Sequence, residues 1–231
     1  MAITKNPAQF LMAPTTQAYH EVQLAFDVFN IELFNNTLPP CLITFQRKGS
    51  STYGYYSSKR FASTAGATTD EIALSPRFFK NRSFVEVMST LVHEMAHHWQ
   101  FHFDKPSRHG YHNKEWAQKM LWLGLRPSHT GQAGGKMTGQ QMTHYILPGG
   151  RFERAAEKLR GMVPGLTWFD VHAAELLPKG LTGSDLVAPS GLSGRRTVYR
   201  CRSCKDRAEG KSSLQLICGK CDVRMEPDGL R

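Results

Sequence analysis

No run of 18 apolar residues occurs in the 231-residue chain, so no segment reads as a membrane span. The opening MAITKNPAQFLMAPTTQ lacks the continuous apolar stretch of a secretory leader. Export is therefore not expected; the expected location is the cytosol, with the nucleoid, or the nucleus of a eukaryote, compatible with it. Cysteine is scarce: of five, Cys41 stands alone beside Pro40 and reads as a small buried hydrophobe, and the other four fall in the last 31 residues. A chain-wide disulfide framework is excluded. Acidic residues are also in deficit, 19 against 29 Lys and Arg, and the net charge of +10 points to a polyanionic partner. Half of that excess sits in residues 195–231, with ten basic and five acidic side chains. No internal repeat is found, and the length suits one ordinary domain with a small appendage.

What the chain does have is LVHEMAHHWQFHF at 91–103, four histidines and a glutamate in an otherwise apolar stretch. His93, Glu94 and His97 stand in the order H-E-x-x-H. Four helical steps of ~100° place His93 and His97 on one face, ~40° apart and one turn along, so both imidazoles reach one small cation. Glu94, ~100° round, is too far to share the metal but is placed to hold a metal-bound water, the division of labour in a zinc hydrolase. Chance would produce about 0.02 such matches in a chain of this composition. Val92, Met95, Ala96 and Trp99 leave little room for a merely solvated stripe. His98 and His102 repeat the spacing on another face without a following glutamate, and read as solvated or hydrogen-bonded rather than as a second metal site.

Around this motif, residues 18–39 show helical apolar spacing (Val22, Phe26, Phe29, Leu33, Phe34) and stop at Asn-Asn-Thr-Leu-Pro-Pro. CLITFQRK, TYGYYSSKRF and EIALSPRFF suit a three-stranded sheet. The motif helix is expected from about Ser83, with Glu86 at the capping-box position, to about Phe103, and another helix from Asn113 to Gly124. RPSHTGQAGGKMTGQQ reads as a surface loop, MTHYILPGG as a strand, FERAAEKLRG as a short helix and LTWFDVHAAELL as a further element. Residues 179–196, rich in Gly and Ser, read as a flexible linker.

A catalytic zinc normally takes three protein ligands and leaves the fourth position to water. The downstream candidates are His102, His109, His112 and Glu115. Gln100 and Phe103 stand where a metzincin needs glycine and histidine, which removes that class. Glu115 has about the separation of a thermolysin-like third ligand, but His112, on the loop before the next helix, is better placed.

H-E-M-x-H, a short loop, then H-x-x-x-W from His112 to Trp116 resembles the SprT family of small metalloproteases, which includes the Spartan-type DNA–protein crosslink proteases. F-N-x-x-L-F-N (Phe29–Asn35), a Leu-Pro, Gly54-Tyr-Tyr and Ile72-x-Leu74 follow the same family's order, so the likeness covers residues 18–125. The resemblance implies an α+β fold, a minimal zincin-like metalloprotease domain with helices packed on a small three-stranded sheet. It implies zinc on His93, His97 and His112, with Glu94 as base. Many members have Gly-His at the third ligand where this chain has Tyr111-His112, and His109-Gly110 offers a rival alignment.

Cys201-x-x-Cys204, thirteen residues, then Cys218-x-x-Cys221 read as two knuckles delivering four thiolates to one tetrahedral zinc, with a hairpin between them. Several SprT-like proteins also end in a zinc ribbon. The expected organisation is a protease domain at 18–178 (core 18–125, extension 126–178), the linker, and a ribbon at 197–231. Two zinc ions are expected, one catalytic and one structural. The expected enzyme is a monomeric zinc endopeptidase acting on protein near or on DNA and held there by Arg195, Arg196, Arg200, Arg202, Lys205 and Arg207, with Tyr199 a candidate to stack on an unpaired base. The competing readings are a nucleic-acid-binding or regulatory module with an idle H-E-x-x-H scaffold, and a hydrolase of another amide or ester. Tyr111, His109 and Tyr145 are candidate oxyanion donors.

Overall fold

The computed structural model describes residues 12–47, 52–108, 110–171, 197–210 and 215–227. The expected linker, Arg195, Arg196 and the rival ligand His109 lie outside the described residues. The chain divides into two compact units, Met1–Leu186 and Val187–Arg231.

In the first unit, helix α1 (Pro14–Phe34) buries Val22, Phe26, Phe29 and Leu33 on one face. It ends where Asn35 and Asn36 turn left-handed, at φ 55° and 54°. Buried Asn30 fixes the exit: its side chain donates to the Leu38 carbonyl and accepts from the Leu38 N–H, both at 3.1 Å. The sheet follows as β1 (Leu42–Phe45), β2 (Gly54–Ala62) and β3 (Thr68–Leu74), in spatial order β1-β3-β2. β1 runs parallel to β3 and β2 antiparallel to it. The β2–β3 register shifts between Ser57 and Phe61, where Lys59 takes φ 49°.

α2 (Phe84–Phe103) carries the histidine motif and packs against both strands and the other helices. Its capping box is complete, with the Ser83 and Glu86 side chains each answering the other's backbone N–H. Gly54 lets β2 lie close on this helix: a Cβ there would stand 2.8 Å from the Ala73 oxygen and 3.4 Å from Glu94 Cγ. Strand β4 (Tyr111–His112) leads into α3 (Lys114–Leu123), capped by Asn113, and Gly124 ends it at φ 91°. A side chain at Gly124 would collide with the Arg151 nitrogen, 2.8 Å from its Cβ.

The stretch read as a surface loop holds more structure than its glycines suggest. Leu125–Ser128 form β5, which pairs with β7 (Thr143–Ile146), and Gly139–Gln140 form β6, which pairs with β4. Leu125, Pro127 and Ser128 are buried. α4 (Arg151–Arg160) closes the core through Phe152, Ala155, Ala156 and Leu159. Residues 166–171 form neither helix nor strand but cross α1, Trp168 Nε1 donating to Gln17 at 3.2 Å and the Thr167 N–H to Glu21 at 2.9 Å.

In the second unit, β8 (Thr197–Arg200) lies between β9 (Arg207–Gly210) and β12 (Glu226–Pro227), and β10 (Ile217–Cys218) pairs with β11 (Val223–Arg224). Each knuckle sits at the tip of its own hairpin, β8–β9 for the first and β10–β11 for the second. Among the described residues, the segment between the knuckles gives β9 to one hairpin and β10 to the other, and the expected hairpin of its own is not among the pairs. The apolar core is small, Tyr199, Cys201, Cys218 and Met225.

Candidate metal centre

α2 presents His93 and His97 one turn apart, and β4 brings His112 across to them. Their ligand atoms all lie within 4.8 Å of one another. His97 Nε2 and His112 Nε2 are 3.1 Å apart, and Trp116 packs against all three rings, stacked on His97 at 5.1 Å. His112 is placed by its neighbours on both sides. Asn113 accepts from Gln100 of α2 at 2.7 Å and caps α3 through the Trp116 N–H, and β4 pairs His112 with Gly139. Glu115 is exposed and outside the cluster; His102 lies in a different one.

The hydrogen bonds decide which ring nitrogens are bare. His112 Nδ1 donates to the Gly139 carbonyl at 3.2 Å, which can only accept, so the neutral ring keeps its lone pair at Nε2. His93 is fixed through two neighbours. Ser89 Oγ spends its hydrogen on the Glu86 carbonyl at 2.8 Å, so it accepts from His144 Nε2 at 2.9 Å. His144 Nδ1 is then an acceptor and takes the hydrogen of His93 Nδ1 at 3.1 Å, leaving His93 Nε2 bare. His144, on β7, has no motif to announce it and was missed in the sequence.

Burial keeps these rings neutral. It lowers His97 and His144 to about 3, helped by His112 and Arg82 respectively; His93 falls well below the usual range from burial and its three histidine neighbours. Burial lowers His112 too, against the pull of the Gly139 carbonyl. Neutral imidazoles with a backbone or side-chain acceptor on the far nitrogen are the form a metal takes. Glu94, 6% exposed, is raised to about 8 by burial, with the Tyr56 N–H opposing. Such a carboxyl ionises readily only beside a positive charge.

Residues 22–130 match the model of the SprT-like family. A relative in Salmonella typhimurium, an uncharacterized protein in the mucB 3' region, is 57% identical over 60 residues, 26% of this chain and 80% of that protein. The chain belongs to the SprT-like family. Membership suggests a zinc metalloprotease-type domain, and the three-histidine group of this SprT-like protein is compatible with zinc.

The four thiols Cys201, Cys204, Cys218 and Cys221 form a second ligand group compatible with zinc. None is in a disulfide; Cys204 and Cys218 Sγ stand 3.5 Å apart. Both knuckles turn the same way, with Lys205 and Asp222, each just after the second cysteine, at φ 65° and 50°. The Cys204 and Ser203 N–H groups, with further thiol contacts, lower Cys201 to about 7, toward the thiolate a metal needs. Of the described basic residues, Arg202 is ion-paired with Glu226, Lys205 donates to the Arg202 carbonyl at 2.8 Å, and Arg200 faces Arg207 across β8–β9. Tyr199 corrects an expectation: 2% exposed in the ribbon core, it offers no ring for base stacking.

Proposed function

We propose that this SprT-like protein is a zinc-dependent endopeptidase with a zincin-like catalytic domain, acting on proteins bound or crosslinked to DNA. The observation that carries the reading is the three-histidine group, with Nε2 bare on His93 and His112, next in sequence to a buried glutamate that a structural site would not need. His93, His97 and His112 hold the metal, and the four cysteines hold a structural one. Held by His93, His97 and His112, zinc would lower the pKa of a bound water toward ~7 and polarise the scissile carbonyl. Glu94 would take a proton from the attacking water on a carboxylate oxygen and deliver it to the leaving nitrogen. The Tyr56 N–H holds that carboxylate in place. β2 is an edge strand, its other neighbour being β3, and the side of it nearest Glu94 pairs with the backbone of an extended peptide. Such pairing reads little side-chain sequence, which suits a substrate defined by its attachment to DNA.

The test is casein hydrolysis by the full chain with and without DNA, beside Glu94→Gln. Loss of at least about 100-fold in rate with unchanged zinc content is expected. Equal activity of parent and variant would mean that Glu94 is not the base; no hydrolysis by either would favour a binding module on the same scaffold.

A further inference from the structure

The second histidine pair on α2 is hydrogen-bonded, as one of the two expected readings had it, with His102 at the surface. His98 is fully buried, and His98 Nδ1 and His102 Nε2 lie 2.9 and 2.7 Å from the same oxygen, Oδ2 of Asp70 on β3. Each group is held from behind. The Lys59 N–H, turned inward at the β2 irregularity, donates to Asp70 Oδ1 at 2.7 Å, and the Tyr56 hydroxyl donates to Oδ2 at 2.7 Å. His98 Nε2 donates to the Pro39 carbonyl at 2.9 Å. A carbonyl only accepts, so that nitrogen carries the hydrogen of the neutral ring, and Nδ1 points a lone pair at a carboxylate oxygen. That contact needs either a second proton, which makes His98 the cation of an ion pair with Asp70, or a metal cation between the two atoms.

We propose that Asp70, His98 and His102 form a further divalent transition-metal site, separate from the three-histidine and four-cysteine groups. Their donor atoms lie within 4.8 Å of one another, and two imidazoles with one carboxylate suit zinc and its neighbours in the first transition row. A backbone carbonyl on the far nitrogen of His98 and an N–H on the far oxygen of Asp70 are the outer contacts that orient metal ligands. The His102 side chain is 32% exposed, which leaves an entry side and room for water in the remaining positions. The ion ties β3 to the last turns of α2, beginning one residue beyond His97.

The experiment compares zinc bound per full-length chain after saturation with Zn²⁺ and gel filtration, for the parent, His102→Gln and Asp70→Asn. Each variant is expected to hold one zinc fewer than the parent, whatever the other two groups hold, so the result does not depend on the proposed catalysis. Cadmium NMR of the cadmium-loaded chain provides the second measurement. One resonance should vanish in His102→Gln while those of the other sites persist, which separates loss of a site from loss of the fold. Equal zinc content in parent and variants, with an unchanged cadmium spectrum, would overturn the proposal and leave a proton shared between His98 and Asp70.

Discussion

His144 shows how much of a metal site is decided one contact away from the metal. By accepting the His93 Nδ1 hydrogen and passing its own to Ser89, it selects the tautomer with Nε2 bare. His144→Phe keeps the bulk but removes the acceptor, and zinc affinity of the three-histidine group should fall by about 10- to 100-fold, read by competition with a chelator. His144→Gln, whose amide oxygen can accept the same hydrogen, should recover part of the loss. Equal affinity in the phenylalanine variant would show that packing alone orients His93. His112→Ala should weaken zinc at this group more than either, and Glu115→Gln should leave it unchanged, since Glu115 lies outside the cluster; the reverse pattern would reassign the third ligand. His93, Glu94 and His97 were legible because one helix turn is a sequence spacing. His144 was not, because it stands 51 residues away and reaches His93 only through the β5–β7 pair.

At the scale of elements, local chemistry was readable and long-range pairing was not. Ser83 with Glu86, Asn113 and Gly124 announced the ends of α2 and α3 through capping and the left-handed stop. β5 escaped because a proline and the glycine run after it mimic a loop, while its backbone partner lies beyond that run. The β4–β6 pair, two residues on each side, is too short for any alternating pattern, yet it seats His112. The ribbon shows a similar division: the C-x-x-C spacing was plain, and the placement of each knuckle on its own hairpin was not. Thiol labelling at mild alkaline pH tests that element. Burial, with Asp70 adding, raises Cys41 to about 12, so it carries almost no thiolate and should resist alkylation, whereas Cys201, at about 7 in the metal-free chain, should react first. With zinc bound the four ribbon thiols should be protected, and a chelator should restore labelling at Cys201. Protection that survives the chelator would mean that zinc does not hold the knuckles.

At the scale of the whole molecule, the two units divide chemistry and charge between them. Every residue proposed for hydrolysis lies in Met1–Leu186, while residues 195–231, all within the second unit, carry half of the net +10. Burial of Tyr199 removes stacking from the second unit's repertoire, and the pairing of Arg202 with Glu226 leaves fewer cations free for phosphates. DNA binding by this tail should then be mainly electrostatic and indifferent to base sequence. The logarithm of the binding constant should fall linearly with the logarithm of salt concentration, by about 0.9 per neutralised phosphate on duplex and about 0.7 on single strands. Because no aromatic ring is on offer, single strands should gain no stacking advantage over duplex. Fluorescence anisotropy over a salt series, comparing the full chain with one ending at residue 192, measures both slopes. The shortened chain should bind more weakly and with a flatter slope, and Arg200→Ala with Arg207→Ala should move the full chain part of the way toward it. Identical affinity and slope for the two lengths would place the DNA-binding surface on the catalytic unit, with the region 126–160 the next to test, and would leave the ribbon to a protein partner.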